Sequence, residues 1–148
     1  MIKNGVYAAG LSILNSDKSL NIKSTIDHAE SAIKSGLHGV FFFGSTGQSQ
    51  LLSISEKKEL ISKTSTSKFR NQFYFGTGVN SLKDNLDLIR YSIEFGYQTF
   101  LIMPPAYYKG NTDKGIYNFY AEIIAQVPKI KIIIYNFEKL SGYLFSSE

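Results

Sequence analysis

Leu37-His38-Gly39-Val40-Phe41-Phe42-Phe43-Gly44 is a short, aromatic and apolar run that ends in glycine, and the polar stretch Ser45-Thr46-Gly47-Gln48-Ser49 follows it. A run of this length and composition, bounded by glycine, reads as a β-strand. Upstream, Ile22, Ile26, Ala29 and Ile33 recur at i, i+4, i+7 and i+11, the stripe of an amphipathic helix. Downstream, Ser53-Ile54-Ser55-Glu56 has the form of a capping box: the serine takes the first free N–H groups of a second helix and the glutamate reaches back. The same alternation continues in both directions. Further strands are expected at Gly5–Leu11, Gln72–Thr77, Gln98–Met103 and Ile130–Tyr135. A third helix carries Leu82, Leu86, Ile89 and Ile93, and a fourth carries Ile116, Phe119, Ile123 and Ile124. Gly36, Gly39 and Gly96 fall where helices stop or strands start, as left-handed helix ends require.

The order βαβαβαβαβ implies parallel strands, because each helix returns the chain so that the next strand runs the same way. An open doubly wound sheet and a closed eight-stranded barrel both satisfy it. Strand starts recur about every 31 residues, so a full barrel needs about 250 residues and these 148 supply the first five strands and four helices. The fold class is therefore α/β, with residues 1–148 the amino-terminal part of one TIM-barrel, (β/α)8, domain. Neither GxGxxG nor GxxxxGK[ST] is present, which removes the main support for a dinucleotide or P-loop nucleotide site.

Composition narrows the function further. Hydrophobic residues make up 43% of the chain, enough for a packed core rather than disorder. With no cysteine, a disulfide scaffold, a thiolate metal site and a cysteine nucleophile are excluded, and a reducing cytoplasmic setting is compatible. The longest apolar run is far short of the roughly 20 residues of a membrane helix, and Met1–Gly10 lacks a signal-peptide layout. The net charge of +4 is spread along the chain with no basic run, so neither nucleic acid nor a membrane surface is an expected partner. His28 and His38 lie apart from any carboxylate cluster, and no metal site is expected.

In parallel α/β folds the carboxyl ends of the strands line the site. Here those ends read Gly44-Ser45-Thr46-Gly47, Gly76-Thr77-Gly78-Val79-Asn80, Met103-Pro104-Pro105-Ala106-Tyr107-Tyr108-Lys109 and Tyr135-Asn136. Ser45 and Thr46 between glycines offer hydroxyls and unobstructed N–H groups to a carboxylate or phosphate, or else form a tight turn. Tyr135 is either a core aromatic or a proton carrier coupled through hydrogen bonds to Ser45 and a second tyrosine.

Together these strand ends resemble the pyruvate-dependent class I aldolases that include dihydrodipicolinate synthase and N-acetylneuraminate lyase. The likeness rests on Gly44-Ser45-Thr46-Gly47, on Pro105 through Tyr108 with Gly115-Ile116-Tyr117, and on Tyr135-Asn136 with Leu140-Ser141-Gly142. It implies that Ser45, Thr46 and Gly47 hold the pyruvate carboxylate and that Tyr135 shuttles protons during imine and aldol chemistry. It implies too that Tyr108, with Tyr107 as the alternative, completes the relay in a neighbouring subunit, and that Leu140 and Ser141 meet the second substrate. A homodimer or homotetramer follows, with pyruvate and an aldehyde as ligands and no cofactor. The family's Schiff-base lysine lies on strand six, expected near position 162 by the repeat of about 31 residues. Lys109 and Lys139 are expected on loops and Lys131 at the wrong end of a strand, all three at the surface, and the chain alone is expected to lack aldolase activity.

Three residues depart from the family pattern: Leu140 stands where the synthases carry arginine, Gln48 where glutamate is usual and Glu138 where proline is usual. The leucine favours the neuraminate and sugar-acid branch over the 4-hydroxy-tetrahydrodipicolinate synthases. The alternatives are that synthase activity, and a non-catalytic half-barrel module that binds carboxylates.

Overall fold

The computed structural model describes Ile2 and residues 4–146; Met1 and Lys3 of the opening segment, and residues 147 and 148, lie outside it. Five strands appear where the apolar runs place them: β1 Tyr7–Ala9, β2 Gly39–Phe42, β3 Phe73–Gly76, β4 Thr99–Ile102 and β5 Lys131–Ile134. Each is narrower than its apolar run, since the flanking residues already turn into the loops. All pair in parallel, in the order β1-β2-β3-β4-β5. A sequential order decides between the two architectures, because a doubly wound sheet reverses direction partway.

The helices are α1 Ile22–Lys34, α2 Ile54–Thr64, α3 Leu82–Glu94 and α4 Asp113–Gln126, with a short fifth, α5 Glu138–Ser141. Asn21, Ser53, Ser81 and Thr112 cap the four long ones by accepting from the N3 backbone N–H, and Ser53 and Glu56 complete the expected capping box. No helix among the described residues is long and apolar enough to cross a membrane.

Alternation along the strands separates two faces. Val40, Phe42, Phe73, Phe75, Phe100 and Ile102 are buried against the helices, where Leu60, Ile61, Ile89 and Ile123 meet them. Phe41, Tyr74 and Leu101 point the other way and are half-buried. There Phe41 stacks on Tyr74 at 5.0 Å, and Tyr7 meets both edge-on at 5.7–5.8 Å. This second face is the lumen of a barrel whose edge strands are β1 and β5.

Three sequence expectations change. Ile93 and Ile124 are 37% and 51% exposed, because Ser92 and Ile123, about 100° away on the same turns, take the core positions. Gly36 and Gly96 are left-handed as expected (φ 102° and 84°), but Gly39 is not; its need is space, since a Cβ there would sit 2.6 Å from the Gln72 carbonyl oxygen. Lys139 lies in α5 rather than in a loop.

Candidate active site

At the carboxyl ends of the strands, Ser45 follows β2 and Tyr135 follows β5. Ninety residues apart in sequence, their hydroxyl oxygens meet at 3.0 Å. Either can donate, so a proton can pass in either direction. The loop that presents Ser45 is tightly drawn: Gln48 N–H donates to the Ser45 carbonyl and Ser49 N–H to the Gly44 carbonyl. Phe43 and Gln48 flank it with φ of 61° and 52°. A left-handed phenylalanine costs on the order of 1–3 kcal/mol and persists only where its surroundings fix it; here the ring is buried at 2% exposure. Gly47 is required by proximity, because a Cβ would lie 2.7 Å from the Gly10 carbonyl oxygen. From the adjoining segment Ser12 Oγ donates to the Gly47 carbonyl at 2.6 Å.

Ser45 and Tyr135 open onto a cavity of about 350 Å³ whose other walls include Phe43, Leu101, Met103 and Ala106. No acidic or basic side chain lines it among the described residues. Thr46 is exposed beside Ser45. Leu140 lines the cavity, whereas Ser141 does not: its hydroxyl is buried, donates to the carbonyls of Phe137 or Tyr143 and accepts from Tyr143 N–H. Tyr107 lines the cavity and Tyr108 stands beside it, their rings 5.1 Å apart and edge to face, each 77% exposed. Asn136 exchanges hydrogen bonds with the backbone of Phe145, tying the following segment to the end of β5.

Lys109, Lys131 and Lys139 are exposed, as the sequence suggests. The sequence reading missed Lys57. Its side chain is 0% exposed, its ammonium donates to the carbonyls of Thr77 and Gly78 at 3.1 and 3.0 Å, and the Phe43 ring lies 5.9 Å from Nζ. Burial lowers its pKa to about 8, against an opposing pull from Asp84. Lys57 sits behind the wall formed by Phe43 and Gly78 and does not face the cavity. Helical spacing does carry a signal for it, because Ile54, Lys57, Ile61 and Thr64 share one face of α2. His38 Nδ1 accepts from Val6 N–H, a structural contact at the opposite end of the strands.

Parallel strands in sequential order, joined by helices and lining a cavity at their carboxyl ends, define the (β/α)8-barrel class. Residues 3–148 match the dihydrodipicolinate synthetase family, and the chain belongs to that family. It is 38% identical over 120 residues to a 4-hydroxy-tetrahydrodipicolinate synthase of Legionella pneumophila, covering 80% of this chain and 40% of the relative. It is 29% identical over 144 residues to an L-threo-3-deoxy-hexylosonate aldolase of Aspergillus niger, covering 92% and 43%. Among solved structures, the dihydrodipicolinate synthase of Acinetobacter baumannii complexed with pyruvate superposes with a TM-score of 0.82 at 26% identity, over 96% of this chain and 48% of that one. The chain thus spans less than half the length of these relatives.

Proposed function

We propose that this chain supplies the carboxylate-binding and proton-relay half of a pyruvate-dependent Schiff-base aldolase. In this reading Ser45, Thr46 and the backbone around Gly47 hold the carboxylate of pyruvate. Pyruvate condenses with a lysine amine contributed from outside these residues, losing water to form an imine. Tyr135, with Ser45 as its partner, carries the proton removed from the pyruvate methyl carbon, and the resulting enamine carbon adds to an aldehyde; cleavage is the reverse. The observation that carries the reading is the 3.0 Å contact of the Ser45 and Tyr135 hydroxyls at the mouth of an apolar cavity. Synthase and aldolase relatives, and a pyruvate complex among the structural neighbours, support the same chemistry.

Leu140 bears on the second substrate. A leucine on the cavity wall, with no charged side chain lining that cavity among the described residues, favours an uncharged, hydroxylated aldehyde over one that carries a carboxylate. Tyr107, which reaches the cavity, suits the third position of the relay better than Tyr108 within one subunit; Tyr108 remains the candidate for a neighbouring subunit in a homodimer or homotetramer. A non-catalytic carboxylate-binding module is the second reading, because Lys57, the buried lysine nearest the site, is walled off from the cavity, and no lysine lines that cavity among the described residues.

Incubating the naturally expressed protein with pyruvate and borohydride, then weighing it, separates the two. A single reduced pyruvate adduct on a lysine establishes the aldolase. Pyruvate binding without an adduct establishes the module.

A further inference from the structure

The segment carrying Tyr107 and Tyr108 belongs to no strand or helix, yet it is tied down by a continuous set of side-chain hydrogen bonds that crosses the carboxyl ends of three strands. Asn80 Oδ1 accepts from the N–H of Ala106 at 2.7 Å and of Tyr107 at 3.3 Å. Asn80 Nδ2 donates to Gln50 Oε1 at 3.2 Å, and Gln50 Nε2 donates to the Gly78 carbonyl at 2.9 Å. That carbonyl also accepts from Lys57.

The amide orientations have one solution. Backbone N–H groups can only donate, so Asn80 must turn its oxygen towards Ala106 and Tyr107. Its nitrogen then meets the Gln50 oxygen, and the Gln50 nitrogen is left for a carbonyl, which can only accept. The backbone on both sides of Asn80 is held as well: buried Asn85 donates to the carbonyls of Val79 and Ser81 at 3.1 and 2.8 Å. From the far side, Asn111 Nδ2 donates to the carbonyls of Pro105 and Tyr108 at 2.7 and 3.1 Å.

We propose that Asn80 is the positioning residue that holds the tyrosine loop over the cavity, and that Gln50 and Lys57 hold Asn80 in place for it. Asn80 lines the cavity, but both lone pairs of its Oδ1 and one of the two Nδ2 hydrogens are committed to the protein, so its oxygen acts through Tyr107 rather than on a substrate. The assignment of a catalytic consequence rests on the aldolase reading; the positioning itself does not. Ser45 lies on a different loop, so loosening the tyrosine loop disturbs proton movement more than pyruvate binding.

The test compares Asn80→Ala, which removes both the acceptor for Ala106 and Tyr107 and the donor to Gln50, with Asn80→Asp, which keeps the acceptor and loses only the donor, in the full protein. Amide hydrogen exchange at Ala106 and Tyr107 is read alongside steady-state kinetics with pyruvate. Asn80→Ala is expected to speed exchange at both amides by about tenfold or more. It is expected to lower kcat about 10- to 100-fold, as misplacement by an ångström does, while KM for pyruvate stays within about twofold. Asn80→Asp brings exchange and kcat back to within about threefold of the parent. Unchanged exchange and unchanged kcat in Asn80→Ala overturn the proposal, and so does a raised KM at constant kcat, which would place Asn80 on the substrate. Should Asn80→Ala fail to fold, Gln50→Ala, at an exposed position, replaces it with the same expected signs. Should the parent protein give no reduced adduct with pyruvate and borohydride, the aldolase reading fails, and the exchange rates alone still decide the positioning role.

Discussion

Lys57→Met should leave stability nearly unchanged at neutral pH and reduce it in alkali. The wild-type ammonium is buried with no carboxylate within hydrogen-bonding distance, and its pKa falls from 10.5 in the unfolded chain to about 8 in the fold, desolvation being the dominant cause. The unfolded chain therefore binds this proton up to pH 10.5, and the folded chain only up to about 8. Stability rises with pH wherever the unfolded state holds more protons, so wild-type stability climbs between these values and the cost of the buried charge is fully present below pH 8. At ~1.4 kcal/mol for each tenfold change, the climb amounts to about 3 kcal/mol. The two carbonyl contacts favour the ammonium and reduce that to about 1–3 kcal/mol. Below pH 8, methionine removes the desolvation cost but leaves the Thr77 carbonyl without its donor, at about 1–3 kcal/mol, so the two effects nearly cancel. Near pH 10 only the second effect remains. Urea unfolding of the two proteins at pH 7.5, 9 and 10, followed by far-ultraviolet circular dichroism, measures the difference, and the titrations of tyrosines and surface lysines cancel in it. A difference that stays constant to within about 0.5 kcal/mol across this range would refute a depressed lysine at this position.

Three further substitutions test the site and its frame. Tyr135→Phe should lower pyruvate-dependent turnover by about 10²–10⁴ with the fold intact, and an unchanged rate would remove Tyr135 from the relay. Leu140→Arg should shift relative kcat/KM towards carboxylate-bearing aldehydes by about tenfold or more, measured by competing a charged with a neutral acceptor; no shift would detach Leu140 from the second substrate. Gly39→Ala should destabilise the fold by about 1–3 kcal/mol, read as a lowered Tm, because the new Cβ meets the Gln72 carbonyl at 2.6 Å and must push β2 from β3; an unchanged Tm would show that the strands yield at no cost.

Much of the architecture was legible because its signals are local. Strand runs, helical stripes and the Ser53 to Glu56 capping box each depend on residues within a few positions of one another, and the even spacing of strands carries the barrel count. The same locality explains the misses. Ile123 and Ile124 both look apolar in a stripe, but adjacent residues on a helix cannot face one core, and only packing decides which turns outward. Gly39 is demanded by the Gln72 carbonyl, in the turn just ahead of β3 and more than thirty residues away, a contact that no local pattern contains.

The candidate site divides along the same line. Ser45 and Tyr135 could be picked out as strand-end hydroxyls, and their meeting at 3.0 Å follows once the strands are parallel and curved into one mouth. Of the residues that hold this mouth in shape, Asn80 stands in a strand end that lines the site and Lys57 breaks the apolar face of α2, while Gln50 and Asn85 carry no mark at all, since a polar side chain advertises nothing about its partner until the partner's position is known. Lys57 is the instructive case. A lysine on the apolar face of α2 is an inconsistency in the helical pattern, and such an inconsistency has two resolutions: the side chain snorkels to water, or it finds acceptors inside. The open carbonyls at the end of β3 provide the second. A cation bound only by backbone carbonyls is held by geometry rather than by a matching charge, so it fixes the loop at Gly78 without placing a carboxylate beside the cavity. An apolar cavity beside Ser45, with no charged side chain in its lining among the described residues, and a charged anchor one layer behind it are therefore parts of one arrangement: the charge that fixes the Gly78 loop is kept behind the cavity wall.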